Sequence, residues 1–172
     1  MNDQETHVKF LKNLDKSQTA VAFVARVLDK SGWYDDVRIL SYRKAPTRNQ
    51  WQQYSDQGDI QVAYMGKVMR VEVKENSAHF TGRKDYPFKN IIVDENYKIE
   101  KPDSLPLIGY YIANKQHTCI IEIPVSTKEY WFNKKAKDSV WGKLKNFVWI
   151  SKYVEGIKFL IIGKDDEIER IE

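Results

Sequence analysis

The sequence has few of the residues that build disulfides or zinc sites. It contains one cysteine, Cys119, and three histidines, His7, His79 and His117, which share no common spacing. A single cysteine cannot form a disulfide within the chain, and this set cannot supply a Cys/His zinc site. Cys119 lies inside an apolar run, where a lone cysteine commonly acts as a small hydrophobic side chain.

Long apolar segments and glycine-rich phosphate loops are also missing. No run approaches the ~18 apolar residues that a membrane-spanning helix needs. Residues 1–10 (MNDQETHVKF) lack the apolar stretch of a signal peptide. No phosphate loop or nucleophile elbow is present, so ATP-driven chemistry is not indicated. These absences predict a soluble cytoplasmic protein with no membrane partner.

The composition favours one folded domain that spans residues 1–172. The apolar fraction of 42% is sufficient for a core, and the aromatic content of 13% argues against disorder. The net charge is +4 and the pI is about 9.0, which permits a nucleic-acid partner without requiring one.

Periodicity predicts an early helical region followed by mixed strands. Helices are predicted for residues 6–14 and 17–30, with Ser17 as a possible N-cap and Gly32 as a C-terminal signal. A later helix is predicted for residues 127–136, and residues 164–172 are expected to form a solvated end or a short helix. Strands are predicted for residues 37–42, 59–65, 68–74, 91–93, 109–113, 118–125 and 158–162. This order indicates an α/β or α+β fold.

The strongest chemical pattern lies in the predicted hairpin of residues 59–74. Strand alternation places Glu72 and Lys74 on one face of the second strand, and Val71 and Val73 on the other. The first face is polar and the second is suited to a core. Alternating Glu and Lys on a solvated face is also common in charged proteins that have no site there.

The register of the hairpin decides whether Asp59 joins this polar face. A two-residue turn at Gly66-Lys67, with Gly where a type II′ turn requires it, pairs Asp59 with Lys74. Asp59 then shares a face with Glu72, whereas a three-residue turn would reverse its direction. We therefore predict that Asp59, Glu72 and Lys74 converge. Two carboxylates and a backbone carbonyl suit Mg²⁺, and a nearby lysine could orient a water or stabilise charge.

Asp59, then thirteen residues to Glu72, then Val73 and Lys74, resembles the D…(D/E)XK signature of the PD-(D/E)XK, or restriction-endonuclease-like, nuclease superfamily. The motif is most similar to those of Holliday-junction-resolvase-like and phage nucleases. The resemblance covers about residues 17–94. Gly58 stands where members of the superfamily often have proline.

The resemblance implies a restriction-endonuclease-like fold, in which helices flank a central mixed β-sheet. It implies that Asp59 and Glu72 bind Mg²⁺ or Mn²⁺ together with the carbonyl of Val73, and that Lys74 is the catalytic lysine. The implied activity is a metal-dependent deoxyribonuclease, favoured as an endonuclease, with DNA as partner and a homodimer by analogy. Members of the superfamily can lose the chemistry and keep binding, so an inactive nucleic-acid-binding module remains an alternative. A protein with no nucleic-acid role is a further alternative.

Basic residues supply candidates for phosphate contacts. These candidates are Arg43, Lys44, Arg83, Lys84, Lys89, Lys134 and Lys135. The last two lie in residues 128–153, where lysines alternate with seven aromatic residues: Tyr130, Trp131, Phe132, Trp141, Phe147, Trp149 and Tyr153. These rings can stack on nucleobases, or they can fill the core while the lysines face solvent.

Overall fold

The computed structural model describes residues 3–40, 46–47, 50, 59–99, 105–138 and 142–172, with side chains of the first helix described from Ser17 onward. The fold of these residues is mixed α+β. The helices are α1 (Asp3–Ser31) and α2 (Asn96–Ile99), and 3₁₀ turns span Val125–Tyr130 and Lys164–Asp166. The strands are β1 (Asp36–Ile39), β2 (Ile60–Tyr64), β3 (Lys67–Asn76), β4 (Asn90–Glu95), β5 (Leu107–Asn114), β6 (Cys119–Pro124), β7 (Phe132–Lys137), β8 (Leu144–Ser151), β9 (Lys158–Ile162) and β10 (Ile168–Ile171).

Two sheets organise these strands. The central sheet has the order β1-β2-β3-β5-β6-β9-β10, and the smaller sheet has the order β4-β8-β7. Strands β3 and β5 are parallel neighbours, whereas the other paired strands are antiparallel. A parallel pair needs a crossover connection. Here that connection contains β4, so it joins the two sheets.

One face of the central sheet, called the helix face below, is covered by α1. Val21, Val24 and Leu28 recur at helical spacing and are at most 1% exposed, because they pack on the sheet. Gly32 has a φ of +67° immediately after the helix, which matches its predicted role as the C-terminal residue. The prediction of two separate helices was wrong, since α1 is continuous through Ser17.

The opposite face of the central sheet is covered by the smaller sheet instead of a helix. Phe80, Ile91 and Ile150 pack there against inward side chains of the central sheet. The helix predicted for residues 127–136 was wrong beyond Tyr130, where a 3₁₀ turn ends, because residues 132–137 pair with β8 as an edge strand. Lysine-rich segments carry no strong periodicity of their own, so the pairing partner decided their conformation. The expected second flanking helix is therefore replaced by strands.

The C-terminal residues also form a strand. The backbone N–H of Glu172 donates to the carbonyl of Phe159, and the N–H of Phe159 donates back to Glu172, both at 2.9 Å. β10 is thus the edge strand of the central sheet. The expected solvated end or short helix holds in part, because residues 169–171 are exposed and a 3₁₀ turn spans Lys164–Asp166, but the strand pairing was not predicted. None of the helices in the described ranges combines the length and apolar character needed to cross a lipid bilayer.

Candidate active site

The β2–β3 hairpin turns at Met65-Gly66, one residue earlier than predicted. Both residues have positive φ angles, 48° and 74°, as a type I′ turn requires, and this turn matches the twist of the flanking strands. Tyr64 pairs with Lys67 and Ile60 with Val71. The predicted turn and its pairing were therefore wrong by two residues in register.

A shift of two residues preserves the direction of every side chain. Ile60, Val62, Val71 and Val73 point to the helix face and are at most 7% exposed, as predicted. Residues at the alternate positions, including Glu72 and Lys74, point to the other face. Continuing the register beyond Ile60 places Asp59 opposite Glu72, and not opposite Lys74 as predicted.

Asp59 is fixed at the point where β2 begins. Its backbone carbonyl accepts a hydrogen bond of 3.0 Å from the N–H of Leu40. Its carboxylate Oδ2 accepts a bond of 2.7 Å from the N–H of Val73. The N–H and C=O of one strand residue point to the same side of the strand. The carbonyl of Val73 is therefore directed to the side on which the Asp59 carboxylate lies.

Glu72 forms an ion pair with Arg70, two residues earlier on the same strand face. Arg70 is only 5% exposed, and its Nε also donates to the carbonyl of Leu105 at 3.1 Å. A buried guanidinium is tolerated because these acceptors satisfy it. This pair partly neutralises the carboxylate that was predicted to bind a metal.

Lys74 contacts an acid that sequence reasoning missed. Its Nζ lies 2.8 Å from Oδ1 of Asp94 on β4. The β4–β8 register shifts between Ile92 and Asp94, which marks a bulge. Val93 and Asp94 are consequently both buried, at 0% and 6% exposure, although they are adjacent in the strand. The available signal was an acid directly after the apolar run of residues 91–93.

Further charges surround this cluster. Lys145 on β8 lies 2.7 Å from Asp138 and 2.9 Å from Glu95. Burial alone would lower the pKa of Lys145, but hydrogen bonds to the two carboxylates raise it overall. Burial, followed by the negative charges of Asp94 and Glu72, raises the pKa of the Tyr110 hydroxyl. Asp94 of the smaller sheet and Glu72 of the central sheet are thus both close enough to Tyr110 to raise the pKa of its hydroxyl.

The ligands available at β3 are carboxylate and carbonyl oxygens, which is the type of ligand that Mg²⁺ prefers. Among the residues that the structure describes, no group of three Asp, Glu, His or Cys side chains converges as a metal site. The candidate ligands are therefore two carboxylates, Asp59 and Glu72, and the carbonyl of Val73. A metal ion there would compete with Arg70 for Glu72.

The predicted phosphate-binding residues fall in different parts of the molecule. Arg83 directs its guanidinium to the carbonyls of Lys152, Ile157 and Glu172, so its donors are used within the fold. Lys84 and Lys89 are exposed. Arg43 and Lys44 lie outside the described residues.

Lys134 and Lys135 are exposed neighbours on β7. Strand alternation places Lys134 on the face of the smaller sheet that carries Phe147, its partner on β8. Lys135 pairs with Asn146 and points to the opposite face. The two lysines therefore lie on opposite faces of the smaller sheet.

Comparison with known proteins identified no relative of this chain. No protein-family model, no curated protein and no solved structure matches this chain. Function is accordingly inferred from the geometry of the chain itself.

Proposed function

We propose that this protein is a metal-dependent nuclease that hydrolyses phosphodiester bonds of DNA, on a restriction-endonuclease-like fold. The observation that carries the proposal is the 2.7 Å bond between the Asp59 carboxylate and the N–H of Val73. This bond brings the first acid of the motif to the strand that bears Glu72 and Lys74. Along the chain, the turn between β2 and β3 separates Asp59 from Glu72 and Lys74.

In this proposal Asp59, Glu72 and the carbonyl of Val73 hold Mg²⁺, which when bound lowers the pKa of a water and screens phosphate charge. Water adds to phosphorus and releases one proton to solvent, the bond from phosphorus to the leaving oxygen breaks, and that oxygen takes up one proton from solvent. Lys74 is held in an ion pair with Asp94. A lysine in this state suits stabilising negative charge on phosphate better than removing a proton from water.

A second candidate function is a nucleic-acid-binding module without cleavage. The ion pair between Arg70 and Glu72 favours it, because it supplies within the fold a positive charge that a metal would otherwise provide. Asp59, Glu72 and Asp94 carry three negative charges against two positive charges on Arg70 and Lys74. The pull on a divalent cation is then weak.

The test is a cleavage panel of supercoiled, linear, branched and single-stranded DNA with Mg²⁺, Mn²⁺ or EDTA. Asp59→Asn and Glu72→Gln should each lower the cleavage rate by roughly 100-fold or more, as should Lys74→Met. Glu75→Gln is the matched control, because Glu75 lies on the same strand with its side chain on the opposite face. Lys67→Met is the corresponding lysine control.

Cleavage that persists in Asp59→Asn and Glu72→Gln would contradict the assigned site. Metal binding is measured separately by calorimetry with Mn²⁺, so that loss of chemistry can be separated from loss of the ion. DNA binding that occurs without any cleavage, and without a calorimetric signal from Mn²⁺, supports the second candidate function.

A further inference from the structure

The smaller sheet has an outer face, which points away from the central sheet. Val148 and Ile150 point inward to the core, so the alternate residues of β8, Phe147 and Trp149, point outward. Trp149 pairs with Phe132 on β7, which therefore also lies on the outer face. None of these three rings belongs to either hydrophobic core of the described residues.

The outer face presents apolar surface to solvent. Phe132 is 39% exposed, and Ile92, the partner of Trp149 on β4, is 37% exposed. The indole N–H of Trp149 donates to the carbonyl of Lys134 at 3.1 Å. The indole N–H thus has its acceptor within the sheet, and the apolar face of the ring is available for contacts with a partner.

Positive charge accompanies these rings. The Nζ of Lys134 lies 5.8 Å from the centre of the Trp149 ring, and Lys134 pairs with Phe147 across the strands. Of the six lysines in residues 128–145, the β7–β8 register places Lys134 and Lys145 on the outer face, and Lys145 is paired there with Glu95 and Asp138. An apolar aromatic surface that carries the ammonium group of Lys134 complements a polyanion with flat rings.

We infer that the outer face binds a single strand of DNA, whose bases stack on Phe132, Phe147 and Trp149 while Lys134 contacts the phosphates. The choice of DNA rests on the proposed function. A single strand is favoured over a duplex because paired bases keep their faces stacked inside the helix and cannot reach these rings.

The outer face is connected to the candidate active site through β4. Glu95 bonds to Lys145, while the preceding residue, Asp94, contacts Lys74 on the inner side. A strand of DNA held on the outer face would therefore lie across β4 from the motif residues.

The test measures fluorescence anisotropy of a short labelled single-stranded oligonucleotide in EDTA, so that binding is separated from cleavage. Phe132→Ala should weaken binding by about ten-fold. Lys134→Ala should weaken binding and reduce its dependence on salt between about 50 and 200 mM. The matched controls are Leu144→Ala and Lys137→Ala, which alter exposed residues on the other face of the same strands. They should bind nearly as the unaltered protein does.

Equal affinity of Phe132→Ala and the unaltered protein for the oligonucleotide would overturn the inference, as would tighter binding of duplex DNA or RNA. A dimer that Phe132→Ala converts to a monomer, seen by light scattering, would overturn it by showing a subunit interface. These results leave the nuclease proposal intact. Conversely, a further outcome is that the protein binds the oligonucleotide through the outer face, so that Phe132→Ala weakens binding, and shows no metal-dependent cleavage. That result supports this inference and counts against the nuclease proposal alone.

Discussion

The two faces of the central sheet are built from the same strands and differ in chemistry. On the helix face, β3 contributes Val71 and Val73, and α1 covers both with apolar side chains. On the opposite face, β3 contributes Glu72 and Lys74, which meet charged residues of a second sheet. A long helix buries the middle of one face, whereas the smaller sheet leaves charged groups at its border. One strand can therefore serve a core and a candidate site at once.

The largest expected effect is a loss of packing on the helix face. Leu28→Ala should lower the free energy of unfolding by about 2–5 kcal/mol, because Leu28 is fully buried and leaves a cavity. Asp29→Ala, at the exposed neighbouring position of α1, should change it by less than about 0.5 kcal/mol. Urea unfolding monitored by circular dichroism measures both. Similar losses in the two variants would show that α1 does not hold this face together.

The next effect tests the charged pair on the opposite face. Lys74→Met leaves the carboxylate of Asp94 buried without its cation and should cost about 1–3 kcal/mol. The double variant Lys74→Met with Asp94→Leu should recover much of that loss, since neither charge remains. A double-mutant cycle in urea gives the coupling energy. Additive losses would mean that the pair contributes nothing to stability.

Alkaline pH should weaken the face covered by the smaller sheet. Burial raises the pKa of the Cys119 thiol from 9.0 to about 12. The unfolded thiol loses its proton above about pH 9 while the folded thiol keeps it, so stability is full below that pH and falls as pH rises. The slope should approach about 1.4 kcal/mol per pH unit. Cys119→Ala should remove the decline between about pH 9 and 10, measured by unfolding at each pH.

A second alkaline decline should begin about one pH unit higher. Burial also raises the pKa of Tyr86, from 10.0 to about 12. This decline should remain in Cys119→Ala and become shallower in Tyr86→Phe, because buried Tyr110 and Tyr111, whose pKa values are also raised, still contribute to it. If Cys119→Ala shows the same decline from pH 9 as the unaltered protein, the thiol is not the group responsible.

The smallest effect concerns the turn that assigns β3 residues to the two faces. Met65 is 76% exposed and adopts a φ of 48°, which asparagine tolerates better. Met65→Asn should stabilise the protein by up to about 1 kcal/mol, and Gly66→Ala should destabilise it by about the same amount. Thermal unfolding measures both shifts. A destabilising Met65→Asn would indicate a different turn.

Local patterns explain the parts of the fold that were predicted correctly. The helical spacing of Val21, Val24 and Leu28 and the alternation of residues 68–74 each report a face that is buried. β9 was predicted at its observed bounds because its residues are a short apolar run. In contrast, β7 and β10 have no such pattern. Both are edge strands, and their partners decide their conformation.

The hairpin shows the same division between local and tertiary information. The alternation of the hairpin by itself determined that Glu72 and Lys74 lie on the face opposite Val71 and Val73, because side-chain direction depends only on the parity of the register. The tertiary structure decided which partners those residues meet: Val73 for Asp59, Arg70 for Glu72, and Asp94 for Lys74. The contact with Asp94 depends on a bulge in a strand of the other sheet. No spacing within residues 59–74 carries information about that strand.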